Sequence, residues 1–112
     1  MATAQDAGFR YELEESTDAR GWKTTTIHCH GRLVNQTAGQ LKELVKPLIL
    51  QGGRIVLDFA DLEYVDSSGL GALVGLKVSA LHQGLVKLEL ANLSPRLKDL
   101  LKLTNLTQIF GS

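Results

Sequence analysis

The sequence lacks most of what would tie it to a disulfide framework, a nucleic acid or a lipid bilayer. It has one cysteine, Cys29, which excludes an internal disulfide and fits a reducing compartment. Neither sign of charge is in surplus: 12 Lys and Arg are matched by 12 Asp and Glu. Phosphate backbones are gripped by excess positive charge or a basic patch, so nucleic acid is disfavoured as a partner. No apolar run approaches the roughly 18 residues needed to cross a membrane, and the first residues have neither a basic start nor an apolar stretch. Direct membrane insertion is therefore not expected, and the predicted location is the cytoplasm. Aromatics make up 5% of the chain and there are two prolines.

What is present is a single-domain quantity of aliphatic residues in clear periodic runs. At 112 residues the chain suffices for one two-layer core. Residues 1–8 are small and polar and are expected to form a flexible leader, with one domain over 9–112. From Phe9 to Glu15 apolar and polar residues alternate, predicting a half-buried strand with Phe9, Tyr11 and Leu13 on one side. A polar turn over 16–21 leads to a second strand, Trp22 to Leu33. There Ile27 and Cys29 face inward, and His28 and His30 share the other face. Asn35 is placed to cap a helix starting near Gln36, whose stripe is Leu41, Leu44, Val45, Leu48 and Ile49. Pro47 should kink or tighten that helix, and Gly52-Gly53 stops it.

Ile55 to Phe59 reads as a central strand. It is followed by a short loop and by Val65-Asp66-Ser67-Ser68-Gly69-Leu70-Gly71, where a second helix begins. Leu70, Leu73, Val74, the Lys77 stem, Val78 and Leu81 are its expected buried stripe, and Gly84 its stop. Asp66 is the expected N-cap, which puts the Ser67 hydroxyl at the helix mouth, facing solvent. Val86 to Ala91 alternates as a strand. Ser94-Pro95 starts a last helix with Leu97, Leu100 and Leu101 inward and Asn105 at its end, and Leu106, Ile109 and Phe110 fold back onto the core. The prediction is an α/β domain with a mixed sheet of four or five strands and helices mainly on one face.

Asp66-Ser67-Ser68-Gly69-Leu70-Gly71 after a buried strand resembles the signature of STAS domains, the anti-sigma-factor antagonists of bacteria. Gly31-Arg32-Leu33 before the first helix and Leu93-Ser94-Pro95 agree with it, and the resemblance runs from about Phe9 to Phe110. It implies a phosphorylation-switched binding module with no cofactor of its own. Ser67 is then the phosphorylated residue, framed by Asp66, Ser68 and Gly69. The implied partners are an anti-sigma factor that is also the serine kinase, captured when Ser67 is unphosphorylated, and a PP2C-like phosphatase that resets the switch. One departure stands out: the family usually has Gly-Glu-Leu-Asp before the first helix, and here the Asp position is Val34. An alternative function for the same fold is an accessory subunit docking on the ATPase of a membrane transporter.

Other residues have competing readings. Asp58, Asp61, Glu63 and Asp66 make the rim of the motif acidic, either as a solvated loop or as a docking surface for a basic partner or an aid to a kinase's magnesium; Leu70, Gly71, Val74 and Asn35 are further docking candidates. A nucleophilic serine is disfavoured, because the first glycine of Gly-x-Ser-x-Gly is missing and no histidine is tied to Ser67. The surface beside Ser67 is accordingly expected to be shallow, and the protein not to be an enzyme. His28-Cys29-His30 suggests a metal, but strand alternation sends Cys29 to the face opposite both imidazoles.

Overall fold

A computed structural model describes residues 8–110. Most of the predicted leader therefore lies outside the described residues. Gly8, its last residue, belongs instead to the domain, since its carbonyl accepts from the Arg32 N–H at 2.8 Å. The elements are β1 (Phe9–Thr17), β2 (Lys23–Leu33), α1 (Ala38–Gln51), β3 (Gly53–Val65), α2 (Ser67–Gln83), β4 (Val86–Ala91), α3 (Pro95–Leu103) and α4 (Thr107–Phe110).

The four strands form one sheet in the order β1-β2-β3-β4. β1 and β2 are an antiparallel hairpin; β2, β3 and β4 run parallel, joined through α1 and α2. Two successive crossovers of the same hand that advance in the same direction put both helices on one face of the sheet. There the inward side chains Ile27, Cys29, Ile55, Leu57, Phe59 and Leu88 meet Leu41, Val45 and Ile49 of α1 and Leu73, Leu76 and Ala80 of α2 in one apolar core. Fully burying each such side chain contributes about 1.5–3 kcal/mol, and here they are contiguous.

Among the described residues no helix lies over the opposite face, and that face is mainly polar. On it His28 lies between Asp58 of β3 (Nδ1 to Oδ2, 2.8 Å) and Glu14 of β1 (Nε2 to Oε1, 2.9 Å). His30 lies likewise between Asp61 and Glu12, at 3.3 Å from each. Arg54 pairs with Glu89 across β3 and β4. Both faces of β3 were expected to be covered, but only one is. The alternation of Arg54, Val56 and Asp58 with Ile55, Leu57 and Phe59 is that of a sheet with one wet side.

Three further elements differ from expectation. β3 runs on to Val65 where a loop was predicted, with register shifts against β2 at His28/His30 and Gly31/Arg32. Its charged far half resembles a loop in composition, but backbone pairing to β2 holds it extended. α1 starts at Ala38, not near Gln36, because residues 35–37 form a turn pinned by the buried Thr37. Its Oγ1 donates to the Arg32 carbonyl (2.7 Å) and accepts from the Val34 N–H (2.9 Å). Asn35 consequently caps no helix. The helix continues through Pro47, which lies with Glu43 on the exposed side, where water can take the place of the missing donor. Leu13 is 48% exposed, because β1 extends beyond the helical layer.

Candidate functional site

β3 delivers the chain to Asp66, whose N–H donates to the Leu33 carbonyl (3.1 Å) at the end of β2. Asp66 is extended (φ −101°, ψ −173°) and caps α2, its Oδ1 accepting from the Gly69 N–H at 2.9 Å. Its Oδ2 accepts from the Asn35 N–H at 3.3 Å, and Asn35 Oδ1 accepts from Ser68 Oγ at 3.3 Å. The turn before α1 and the mouth of α2 are thus laced together. Asn35, one position past Val34, supplies polar contacts there. Ser67 is exposed in the first turn of α2, beside the helix N–H groups and outside this lattice of bonds.

The glycines of the motif have different reasons. A Cβ on the buried Gly69 would run into the Leu33 carbonyl oxygen, so this glycine lets α2 sit against the end of β2. Gly71 and Gly75 have nothing within 4 Å of where a Cβ would be. They leave an open surface, not a packed one. The inward face of α2 is Leu70, Leu73, Leu76 and Ala80, whereas Val78 and Leu81, expected to be buried, are 40% and 63% exposed. Leu70 was also expected to dock a partner; it is 7% exposed and is absent from the outward stripe, reaching only the cavity beside Ser67. The outward stripe is Ser67, Gly71, Val74, Gly75, Val78 and Leu81, headed by the serine at spacings of three and four.

The acidic residues divide between two places. Asp58 and Asp61 turn to the open face of the sheet and pair with histidines, so they are not a rim around Ser67. Asp58 is also bonded by Asn92 (2.8 Å) and the Ala60 N–H (3.0 Å). Burial pushes its carboxyl up, but those bonds and His28 outweigh it, and its pKa lies below the usual value. The hydrogen bonds to Glu14 and then Asp58 raise that of His28, against a small opposing effect of burial. Cys29 is on the other face, buried, with its thiol pushed up to about 12 by desolvation and the nearby Asp58 charge. Among the described residues, no group of three or more potential ligands could hold a metal ion.

Glu63 and Asp66, in contrast, line a cavity of about 550 Å³ that opens directly beside Ser67. The surface there is not shallow as expected. Its walls are the far end of β3, the mouth of α2 and the length of α3, and they are mainly apolar. No histidine or cysteine is among them. Tyr64 at the edge has the guanidinium groups of Arg32 and Arg96 over its ring, at 5.6 and 5.7 Å from the centroid. Neither arginine nor α3 had been assigned to the site. The available signal was Leu103, a leucine outside the Leu97, Leu100 and Leu101 stripe of α3.

Comparisons with known proteins agree with the fold. The STAS domain family profile matches residues 11–111. The anti-sigma-B factor antagonist of Bacillus subtilis is 36% identical over 83 residues, spanning 74% of this chain and 75% of that one. The anti-sigma factor antagonist SpoIIAA has the same fold in its unphosphorylated form (TM-score 0.70, 24% identity, 89% of this chain and 84% of that one). A sulfate transporter family protein from Wolinella succinogenes has it too (TM-score 0.69, 20% identity, 86% and 75%). No described helix is long and apolar enough to cross a membrane. With a profile match over nearly its whole length, the chain belongs to the STAS domain family.

Proposed function

We propose that this protein is a phosphorylation-switched protein-binding module without enzymatic activity, an anti-sigma-factor antagonist in the cytoplasm. Unphosphorylated, it captures an anti-sigma factor that is also a serine kinase; Ser67 carries the phosphate, and a PP2C-like phosphatase removes it. The observation that carries this reading is the exposed Ser67 at the head of an uncovered small-and-apolar stripe on α2. Its similarity to the Bacillus subtilis antagonist supports the choice of partner.

Phosphorylation adds roughly −1.5 to −2 charges and three acceptor oxygens. At the solvated mouth of α2, the helix dipole favours that anion by about 0.3–1 kcal/mol, offset in part by the neighbouring Asp66. The fold is therefore indifferent. Against a partner the same charge loses its water, and an unpaired buried charge costs several kcal/mol, or orders of magnitude in affinity. The hydroxyl thus permits the complex and the phosphate forbids it.

Incubation with a cognate serine kinase and ATP should add one phosphate to the wild type and none to Ser67→Ala, read by intact mass. A phosphate retained on Ser67→Ala would refute the site. The same uncovered stripe would serve a subunit docking on a transporter ATPase. Equal partner binding by wild type and Ser67→Asp would select that constitutive role.

A further inference from the structure

β3 is much longer than its neighbour β4. Their pairing stops at Asp58↔Ala91, yet β3 continues to Val65, bonded to β2 on its other side. From Phe59 to Val65, the edge facing away from β2 has no strand partner among the described residues. At about 3.3 Å per residue this is roughly 20 Å of open edge, enough for one short strand. α3 stands off from that edge, and the 550 Å³ cavity lies between them. Phe59 and Leu62 of β3, Leu70 of α2 and Leu97, Leu100 and Leu103 of α3 form its apolar lining. Its charged groups are Glu63, Asp66 and Asp99 against Arg96, with Arg32 also over Tyr64 at the edge, so the acids still outnumber the bases.

We infer that this groove binds an extended peptide bearing Lys or Arg, which adds a strand to the free edge of β3 and inserts alternate apolar side chains between β3 and α3. Two independent features select that occupant. An unpaired edge offers main-chain hydrogen bonds that only another extended backbone satisfies, while a small apolar molecule would leave them to water. The acidic surplus of the lining favours a basic segment and disfavours an acidic one. It also disfavours a second copy of this chain, because a symmetric edge-to-edge pairing brings the Glu63 residues of two copies together.

The inference stands apart from the Ser67 switch and predicts the opposite sign. A phosphate or carboxylate on Ser67 adds negative charge to the wall of the groove, which maintains or tightens the hold on a basic peptide.

The test uses blocked eight-residue peptides titrated into the full chain and followed by backbone amide NMR. One alternates valine and lysine, a second alternates valine and glutamate, and a third is the lysine peptide N-methylated at alternate residues. The lysine peptide should shift the amides of Phe59–Val65 and bind at least about tenfold tighter than the other two. Leu103→Ser, which removes the apolar side chain without adding charge at a position exposed enough to spare the fold, should weaken it severalfold. Ser67→Asp should bind the lysine peptide at least as well as wild type while partner capture falls. Unmoved Phe59–Val65 amides, equal affinity for the lysine and glutamate peptides, or undiminished binding after N-methylation would each overturn the inference. So would dimerisation of the free chain through the β3 edge, or loss of peptide binding in Ser67→Asp.

Discussion

The mouths of α1 and α2 each present a hydroxyl residue, and the two are used in opposite ways. Thr37 before α1 is fully buried and its oxygen is bonded to the backbone of Arg32 and Val34. Ser67 in α2 is exposed and stands outside the bonds that join Asp66, Asn35, Ser68 and Gly69. At the first helix the hydroxyl fixes a turn, and nothing can reach it. At the second the structural duties fall to its neighbours, which frees the serine for chemistry from outside. A residue at a helix start is available for signalling only when other groups have taken over the capping.

The largest effect that would sharpen this contrast is on binding. Ser67→Asp should weaken capture of the anti-sigma partner by more than about a hundredfold, through the cost of burying an unpaired charge. Its melting temperature should stay within the small range of surface substitutions, about 0.5 kcal/mol. Titration calorimetry and thermal melts on one preparation check both parts, and a large fall in melting temperature would break the contrast. Next comes Gly69→Ala, whose new methyl meets the Leu33 carbonyl. It should cost about 1–3 kcal/mol in denaturant unfolding, because backbone must move to accommodate it.

Thr37→Val should cost about 1–3 kcal/mol, since it keeps the shape but leaves the Val34 N–H and the Arg32 carbonyl without their partner. If Thr37→Val proved as harmless as Ser67→Ala, the two hydroxyls would not differ as described. Gly71→Ala should raise stability by up to about 1 kcal/mol, as helix propensity improves where a Cβ meets nothing. Weaker partner capture by the same variant would mark this as docking surface.

The smallest effect is on pH dependence. The raised pKa of His28 means that its contribution is complete below about pH 6.5 and is lost as pH rises through the higher folded value. Both ring nitrogens face carboxylate oxygens, so only the doubly protonated ring donates to Glu14 and Asp58 together. Melting temperature should therefore fall from pH 6 to 8.5 by more in wild type than in His28→Gln. Asp58, with its lowered pKa, stays ionised throughout that range and does not confuse the reading.

How much of this the sequence disclosed depended on how local the cause was. The Asp66 cap, the Ser94-Pro95 start (Ser94 Oγ accepts from the Leu97 N–H at 3.1 Å), the Gly84 stop and β4 were all legible, because each is set within a turn or by simple alternation. The buried face of α2 was half misread. Apolar residues occur on both its sides, and the sequence could not say that Leu76 and Ala80 face the sheet while Val78 and Leu81 face out. The far half of β3 was missed because its charges resemble a loop, although a neighbouring strand holds it extended. The groove was invisible for a similar reason, since α3 reaches its wall from some forty residues further along the chain. Gly69 needed coordinates too, because the carbonyl it avoids belongs to β2.

Cys29 turns the centre of the sheet into its own sentinel. The lone thiol is 1% exposed and almost never ionised while the core is closed, so alkylating reagents should pass it by until the strands part. Its rate of labelling then times the opening of the whole molecule, with no probe added and no residue changed.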